Sequence, residues 1–245
     1  MGQKQETVSL AWCDNGNVDG LFMLGVTDVL LQSGIKFVST IRSQGNQIAR
    51  QRDRLINHWY DSNKADWLLW VDSDVVISPE TFRILWANKD RLARPMITGV
   101  YFTSDNPEEP LMIPMPTLFK FEDDAESNRL VSKRIHPLPE NKLIKVDAAG
   151  MGFILMHRDV VARVREKMGD VRLFAELGKG DSFLGEDIYF FALCHQVGIP
   201  LWCHTGALAP HMKRFSFDVN YYNAIFGGKK NGKDTSVATQ GGKES

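Results

Sequence analysis

Two aspartates, Asp72 and Asp74, directly follow five consecutive apolar residues, Trp67 to Val71. A short apolar run bounded by polar residues predicts a strand buried on both faces of a parallel α/β sheet. Because such sheets bind ligands beyond the carboxyl ends of their strands, both carboxylates are expected at a binding site. Two carboxylates this close repel each other unless a cation neutralises them, and Mg²⁺ or Mn²⁺ binds carboxylate oxygens together with substrate phosphates. The spacing therefore predicts a metal–phosphate site.

A structural alternative is that these two aspartates belong to a loop that caps the next helix. Ser78 suits that role better, because it precedes Pro79, and proline favours the first position of a helix. Asp72 and Asp74 are then left without an evident structural role, which favours the functional interpretation.

Two further acids, Glu186 and Asp187, follow Gly185 at the expected start of a helix. The helix dipole favours acids in a first turn, so helix stabilisation alone would explain them. The functional interpretation is a general base or an acceptor-binding pair at the rim of the same cleft.

A histidine, His211, follows the last predicted core strand by a few residues, so its side chain could return to the metal. An isolated histidine is more often a surface or packed residue, and His204 is a competing ligand closer to the strand itself. Both histidines are therefore kept as candidate ligands at this point.

Glycines and arginines complete the candidate set. Gly150 and Gly152 flank Met151 ahead of an apolar segment, and glycine permits either close backbone approach to a substrate or a tight turn. Arginine suits recognition of a diphosphate, but Arg50 and Arg54 share a helix face while Arg52 points elsewhere, so at least one of them is expected in solvent. The arginine group near the second predicted strand comprises Arg42, Arg50, Arg52 and Arg54.

The composition is that of a soluble globular protein. The 245 residues are 43% hydrophobic and 24% charged, with a net charge of -1, so nothing global indicates nucleic-acid binding. The three cysteines fit neither a zinc site nor a disulfide framework, which favours a reducing compartment. No apolar run approaches the roughly 18 residues of a membrane span, and no signal-peptide core follows the polar N-terminus. We therefore expect a soluble cytoplasmic protein.

Alternating strands and helices position these residues. Strands are predicted at 8–12, 35–41, 67–71 and 96–101, and helices at 21–32, 47–60 and 79–88, with a polar loop at 43–46. This alternation predicts an α/β fold with a mainly parallel sheet flanked by helices.

The second half of the chain is expected to complete this fold. Strand-like segments at 117–121 and 143–146 predict a small antiparallel insertion, and helices are expected at about 158–167 and 185–196, before a last core strand at 200–203. One domain is expected over residues 1–226. Residues 227–245, rich in Gly, Lys and Ser, predict a flexible tail.

The ordered set of motifs resembles GT-A-fold glycosyltransferases, in particular family-2-like members, over roughly residues 8–214. Asp72-Ser73-Asp74 after an apolar strand resembles their Asp-x-Asp motif, and residues 149–158 resemble their glycine-containing strand near the donor sugar and acceptor. Gly185-Glu186-Asp187, its helix and the segment 198–202 resemble their Glu-Asp motif and the Gly-x-x-x-Trp strand that follows.

The resemblance implies a role for each motif. Asp72 and Asp74, with His211 as a third ligand, would hold Mn²⁺ or Mg²⁺ against the diphosphate of a nucleotide-sugar, with a UDP-sugar as the expected donor. Asp187 would be the general base for a hydroxyl acceptor in an inverting transfer, and Glu186 would hold acceptor hydroxyls. The expected donor contacts are Asp14, Ser43, Gln44, Asn46, Arg50, Ser73, Gly150, Met151 and Gly152.

The resemblance leaves three questions open. The first strand ends in Ala11-Trp12-Cys13-Asp14 rather than in the common family-2 turn, which leaves the base and sugar specificity open. The acceptor is not identified, and a glycan, a lipid-linked sugar, a protein side chain or a nucleic-acid base would each supply a hydroxyl or equivalent group. The rival interpretations are a haloacid-dehalogenase-like phosphatase, with Asp72 as nucleophile and acids such as Asp181 on its metal, and a non-catalytic sugar-nucleotide binder.

Overall fold

The computed structural model describes residues 5–104, 113–124, 129–179, 182–214 and 219–226. These described residues divide into two units: those up to 103 and from 114 to 213 form the first, and 104, 113, 214 and 219–226 belong to the second. The helices are α1 (Gly20–Gln32), α2 (Ile48–Ser62), α3 (Pro79–Asn88), α4 (Asp159–Met168), α5 (Glu186–Gln196) and α6 (Val219–Phe226). The strands are β1 (Val8–Asp14), β2 (Phe37–Gln44), β3 (Trp67–Val71), β4 (Met96–Val100), β5 (Phe102–Ser104), β6 (Pro114–Pro116), β7 (Leu118–Asp124), β8 (Arg129–Arg134), β9 (Leu143–Val146), β10 (Ala148–Ala149), β11 (Phe153–His157), β12 (Leu177–Lys179), β13 (Ser182–Leu184) and β14 (Leu201–Leu208).

A seven-stranded sheet with the order β2-β1-β3-β11-β4-β14-β9 forms the centre of the first unit. Strands β2, β1, β3, β4 and β14 run in one direction, whereas β11 and β9 are antiparallel to their neighbours. The five parallel strands therefore end at one edge of the sheet, and this edge also receives the start of β11. This mixed, mostly parallel α/β sheet confirms the predicted fold class.

Strand β3 is buried along its whole length, as its apolar run predicts. Leu68 and Trp70 pack into the core on one face of the sheet, and Trp67, Leu69 and Val71 pack into the core on the other face. This alternation follows from the two-residue period of a strand. Helices cover both faces, so the carboxylates after Val71 emerge from the middle of a rigid sheet.

Helix α3 begins as predicted. Ser78 accepts a hydrogen bond from the Thr81 N–H, the Thr81 hydroxyl pairs with the Ser78 N–H, and Pro79 stands at the first position. The cap of this helix is therefore complete without Asp72 or Asp74, and both aspartates remain available for another role.

Other expected boundaries are wrong. Ser43 and Gln44 belong to β2 rather than to a loop, because both continue the parallel pairing with Cys13 and Asp14 at the edge of the sheet. The segment 143–146 forms β9, but it joins the edge of the main sheet beside β14 instead of the antiparallel insertion. The insertion is a separate sheet of β10, β7 and β8.

Two further findings concern the chain outside this sheet. In the described part of the chain, no helix combines the length and apolar character needed to cross a membrane. The predicted flexible tail, residues 227–245, lies outside the described residues, as does Asp181 of the rival phosphatase interpretation.

Candidate functional site

A buried arginine joins the two acidic motifs of the sequence. Arg52 on α2 is only 5% exposed. Its Nη2 atom donates to both carboxylate oxygens of Asp72 at 3.1 Å, and its Nη1 atom donates to Glu186 Oε1 at 2.8 Å. Asp72 after β3 and Glu186 at the start of α5 therefore lie on either side of one guanidinium, although 114 positions separate them in the printed numbering.

The charges around Arg52 keep it protonated. Burial would lower the pKa of its guanidinium, but the carboxylates of Asp72, Glu186 and Asp187 outweigh burial and raise it. The Nε atom of Arg52 finds no hydrogen-bond partner among the described residues. The guanidinium thus neutralises the carboxylates of Asp72 and Glu186, whereas the sequence predicts a metal as the counter-charge of Asp72 and Asp74.

Asp74 has a different set of partners. Its Oδ2 atom lies 3.2 Å from His211 Nε2 and 2.8 Å from Lys213 Nζ. Burial would raise the pKa of Asp74, but the hydrogen bonds from His211 and Lys213 outweigh it and lower the pKa to about 2. Asp74 is therefore ionised at neutral pH, and its carboxylate pairs with the positive charge of Lys213.

His211 is held in one orientation. Its Nδ1 atom lies 2.8 Å from the backbone carbonyl oxygen of Phe102, which can only accept a hydrogen bond, so Nδ1 carries a hydrogen. Nε2 then faces Asp74, and this contact is favourable when a proton or a metal cation lies between the two atoms. A backbone carbonyl that fixes one ring nitrogen and leaves the other for a cation is typical of metal-binding histidines.

These contacts allow a test of whether the residues fit a divalent cation. Across the described part of the chain, no three His, Cys, Asp or Glu side chains are grouped so that they could hold a metal ion. Asp74 and His211 are in contact, whereas Asp72 is paired with Arg52. The donor types and the fixed His211 ring fit Mn²⁺ or Mg²⁺. Binding at all three ligands requires Asp72 to exchange Arg52 for the metal.

Asp187 occupies the first turn of α5 beside Glu186. Its Oδ1 atom accepts the Ile188 N–H at 2.7 Å, which fixes the carboxylate at the helix start. Burial is the main reason that its pKa is raised, with further contributions from the negative charges of Glu186 and Asp72, while Arg52 opposes the shift. A carboxylate with a raised pKa is a stronger base than an exposed aspartate, which suits proton abstraction.

The glycine turn before β11 packs against Tyr101. A Cβ atom at Gly150 would lie 2.0 Å from the Tyr101 hydroxyl, and one at Gly152 would lie 2.8 Å from the ring. Met151 is fully buried in the core. The turn therefore needs glycine for a protein contact, and the Tyr101 ring in turn packs edge-on against His211, with 5.1 Å between ring centroids.

Asp14 forms a second charged group at the ends of β1 and β2. Its side chain receives two hydrogen bonds from Arg42, at 2.6 and 2.7 Å, and others from the Gly16 N–H and the Trp12 indole. The hydrogen bonds from Arg42 are the main reason that the pKa of Asp14 is lowered. The neighbouring Ser43 hydroxyl is buried and finds no hydrogen-bond partner among the described residues.

The remaining expected donor contacts lie in three places. The Ser73 carbonyl accepts the Asp19 N–H at 3.1 Å in the turn after β3, and Gln44 is exposed at the end of β2. Asn46 and Arg50 line a separate cavity of about 670 Å³ at the start of α2. His204, the competing ligand, lies on β14 opposite Leu143 of the edge strand β9.

Sequence reasoning missed three residues of this site. It placed Arg52 only on a helix face different from that of Arg50, and it did not single out Lys213 or Tyr101. Lys213 lies two positions after His211, and that adjacency is the one signal that could have identified it. Arg52 and Tyr101 carry no local signal, because their roles depend on contacts with distant segments.

Comparisons with known proteins bear on the fold. No protein-family model and no curated protein matches this sequence. A crystal structure of A197 from STIV matches with a TM-score of 0.50 and 18% identity, over 84% of this chain and 86% of that chain. The crystal structure of GalNAc-T7 with UDP, GalNAc and Mn²⁺ matches with a TM-score of 0.56 and 10% identity, over 88% of this chain and 45% of that chain. This chain therefore has an α/β fold like that of GT-A glycosyltransferases.

Proposed function

We propose that the protein is a metal-dependent glycosyltransferase that transfers a sugar from a nucleotide-sugar, most specifically a UDP-sugar, to a hydroxyl acceptor with inversion. The observation that carries this proposal is the contact of Asp74 with the oriented imidazole of His211, 3.2 Å apart, beside Asp72. The similarity in fold to GalNAc-T7, whose structure contains UDP, GalNAc and Mn²⁺, supports the same interpretation.

In this proposal Asp72, Asp74 and His211 hold Mn²⁺ or Mg²⁺. When bound, the metal supplies Lewis-acid stabilisation of the negative charge that develops on the leaving diphosphate. Lys213, whose side chain is 52% exposed, is free to leave Asp74 and to contact a phosphate instead. With Asp72 as a metal ligand, Arg52 would still hold Glu186 in position through its Nη1 atom.

Asp187 is the proposed general base. Its carboxylate takes the proton of the acceptor hydroxyl, and the acceptor oxygen forms a bond to the anomeric carbon of the donor sugar. The bond between that carbon and the diphosphate oxygen breaks, and the nucleoside diphosphate leaves with the bonding electrons. Burial of Asp187 supports this role, because the raised pKa strengthens the base. Glu186 is proposed to accept hydrogen bonds from acceptor hydroxyls.

The nucleotide is proposed to lie across the ends of β1 and β2. Asp14, Ser43 and Gln44 face this region, and the unpaired Ser43 hydroxyl supports it as a place where a ligand completes a hydrogen bond. Ser73 and the turn 150–152 border the donor on the side of β3 and β11. The turn itself is buried, and the Gly150 and Gly152 N–H groups already donate to the Thr117 carbonyl and the Tyr101 hydroxyl, so its contribution is to shape this border of the site.

A thermal-shift panel tests the proposal. UDP-, GDP-, CMP- and dTDP-sugars are each added to the full chain with Mn²⁺ and with a chelator. The proposal expects one nucleotide class, UDP, to stabilise the protein only when Mn²⁺ is present. Equal stabilisation in chelator, or no stabilisation by any nucleotide-sugar, would contradict it. The Asp74→Asn variant is the matched control, since it removes a proposed ligand without changing side-chain size.

A further inference from the structure

A second cavity lies on α2, on the side away from Asp72. It has a volume of about 670 Å³ and is bordered by the first turn of α2 and by the segment 172–176. Arg50 and Arg54, one turn apart on the exposed face of the helix, border it from one side, and Arg172 borders it from the other. We refer to it as the arginine cavity. The volume lies within the range typical of small-molecule sites.

The three arginines of this cavity have no counter-charge in direct contact among the described residues. No ion pair or side-chain hydrogen bond links the guanidinium group of Arg50, Arg54 or Arg172 to another residue in that part of the chain. By contrast, Arg42 and Arg52 are each paired with carboxylates. Three guanidinium groups that converge on one cavity repel one another, so an anion bound among them would relieve that repulsion.

Two acids also border the cavity, and one of them is already engaged. Asp53 Oδ1 accepts the Leu173 N–H at 2.9 Å and the Phe174 N–H at 3.5 Å, and this holds the segment of Arg172 against α2. Glu176 is exposed at the opposite rim. The lining therefore has an excess of positive charge. The Glu176 carboxylate can accept a hydrogen bond from a hydroxyl group of the ligand.

Backbone groups add to the preference for an anion. Ile48, Ala49 and Arg50 form the first turn of α2, and the Gln47 side chain makes no cap hydrogen bond to it. These three residues border the cavity at the positive end of the helix dipole, which favours an anion. They act together with the three arginines rather than as a site by themselves.

Packed aromatic side chains separate the cavity from the helix that carries the proposed base. The Phe174 ring, which lines the cavity, stacks on Phe190 of α5 with 4.8 Å between ring centroids and an interplanar angle of 18°. Phe190 follows Asp187 by three residues on the same helix. Arg52, which contacts Asp72, lies about 200° around α2 from Arg50, so the cavity and the metal carboxylates are on different sides of this helix.

We propose that the arginine cavity binds the phosphate group of a small phosphorylated ligand, a phosphomonoester or phosphodiester of sugar-phosphate size, at a site separate from Asp72 and Asp74. Arginine forks bind phosphate oxygens in pairs, and three of them select an anion over a neutral sugar. This anion site rests on the cavity itself and does not depend on the proposed function.

Calorimetric titration of the full chain tests this proposal. The probes are glucose 6-phosphate and, as its uncharged match, glucose, both with a chelator at low ionic strength. The double variant Arg54→Gln/Arg172→Gln is compared with wild type, and Arg91→Gln serves as a control because Arg91 is an exposed arginine outside the cavity. We expect wild type and the control to bind glucose 6-phosphate at least tenfold more tightly than glucose, and the double variant to lose that difference.

The outcomes separate this proposal from the proposed function. Equal binding of the two probes by wild type, or an unchanged preference in the double variant, would overturn the anion site. A second titration with UDP and Mn²⁺ should give the same affinity in the double variant as in wild type. Loss of UDP binding there would make the cavity part of the donor site and overturn its assignment as a separate anion site. If wild type binds glucose 6-phosphate but no UDP with Mn²⁺, the anion site stands and the proposed function fails.

Discussion

Replacing Arg52 by methionine is expected to destabilise the protein strongly. The substitution retains much of the side-chain volume but leaves Asp72 and Glu186 without their shared counter-charge. The side chains of these acids are only 21% and 13% exposed, so water replaces the lost guanidinium poorly. Removing one partner of a buried ion pair costs about 3–5 kcal/mol. Because both carboxylates retain some contact with solvent, we expect a loss of about 3 kcal/mol.

Urea unfolding at neutral pH measures this loss, with Arg50→Met as the matched control. Arg50 lies on the same helix but is exposed and has no ion-pair partner among the described residues. Its substitution should change the free energy of unfolding by less than about 0.5 kcal/mol. Similar unfolding free energies for Arg52→Met and Arg50→Met would refute the reasoning that the guanidinium holds the two acidic motifs together.

Mn²⁺ extends the same experiment to the metal. In wild type, the ion pair between Asp72 and Arg52 must break before Asp72 can bind Mn²⁺. The Arg52→Met variant has no such pair to break, so Mn²⁺ should stabilise it more than it stabilises wild type. At about 100 times the dissociation constant, a bound ligand adds about 2.7 kcal/mol to the free energy of unfolding, close to the expected loss. If Mn²⁺ stabilises both proteins equally, Arg52 and the metal do not compete for Asp72.

Three further predictions concern other parts of the site. Asp187→Asn should abolish transfer and leave nucleotide binding intact. It should also stabilise the protein at pH 7, because the raised pKa of Asp187 means that its ionised side chain is disfavoured in the folded state. This gain in the free energy of unfolding should vanish below about pH 3.8, where the aspartate is protonated in both the folded and the unfolded state. Unfolding measured at both pH values checks the sign, and a gain at the acidic pH alone would contradict it. His211→Ala should weaken Mn²⁺ affinity more than His204→Ala in a metal titration; the reverse order would transfer the ligand role to His204. Gly150→Ala should cost about 1–3 kcal/mol in thermal unfolding, since its methyl group meets the Tyr101 hydroxyl, and an unchanged melting temperature would show that the ring moves freely.

Much of the central sheet could be predicted because its signals are local. The apolar run of β3 and the Ser78–Pro79 cap of α3 depend on neighbouring residues, and both elements occur at the predicted boundaries. The parallel arrangement followed from the alternation of strands and helices. It also placed Asp72, Asp74 and His211 at one edge of the sheet, since the carboxyl ends of β3 and β14 lie there.

The rest depended on contacts between distant segments. An arginine on a helix is exposed by default, and only its long-range partners Asp72 and Glu186 explain why Arg52 is buried. Likewise, the sequence of the turn at Gly150 is compatible with close approach of either a substrate or a side chain. In this fold the neighbour is the side chain of Tyr101, which lies between β4 and β5. The segment 143–146 was recognised as a strand, but its pairing with β14 has no local signature.

The account depends most on whether one divalent cation joins Asp72, Asp74 and His211 to a nucleotide. Crystals of the full chain with Mn²⁺ and UDP, with diffraction collected at the manganese absorption edge, test this directly. The account predicts one anomalous peak about 2.0–2.3 Å from oxygen atoms of Asp72 and Asp74, from His211 Nε2 and from the diphosphate, with Arg52 released from Asp72. A bound UDP with no manganese at this position, or a manganese ion that leaves the Arg52–Asp72 pair intact and touches neither aspartate, would contradict it.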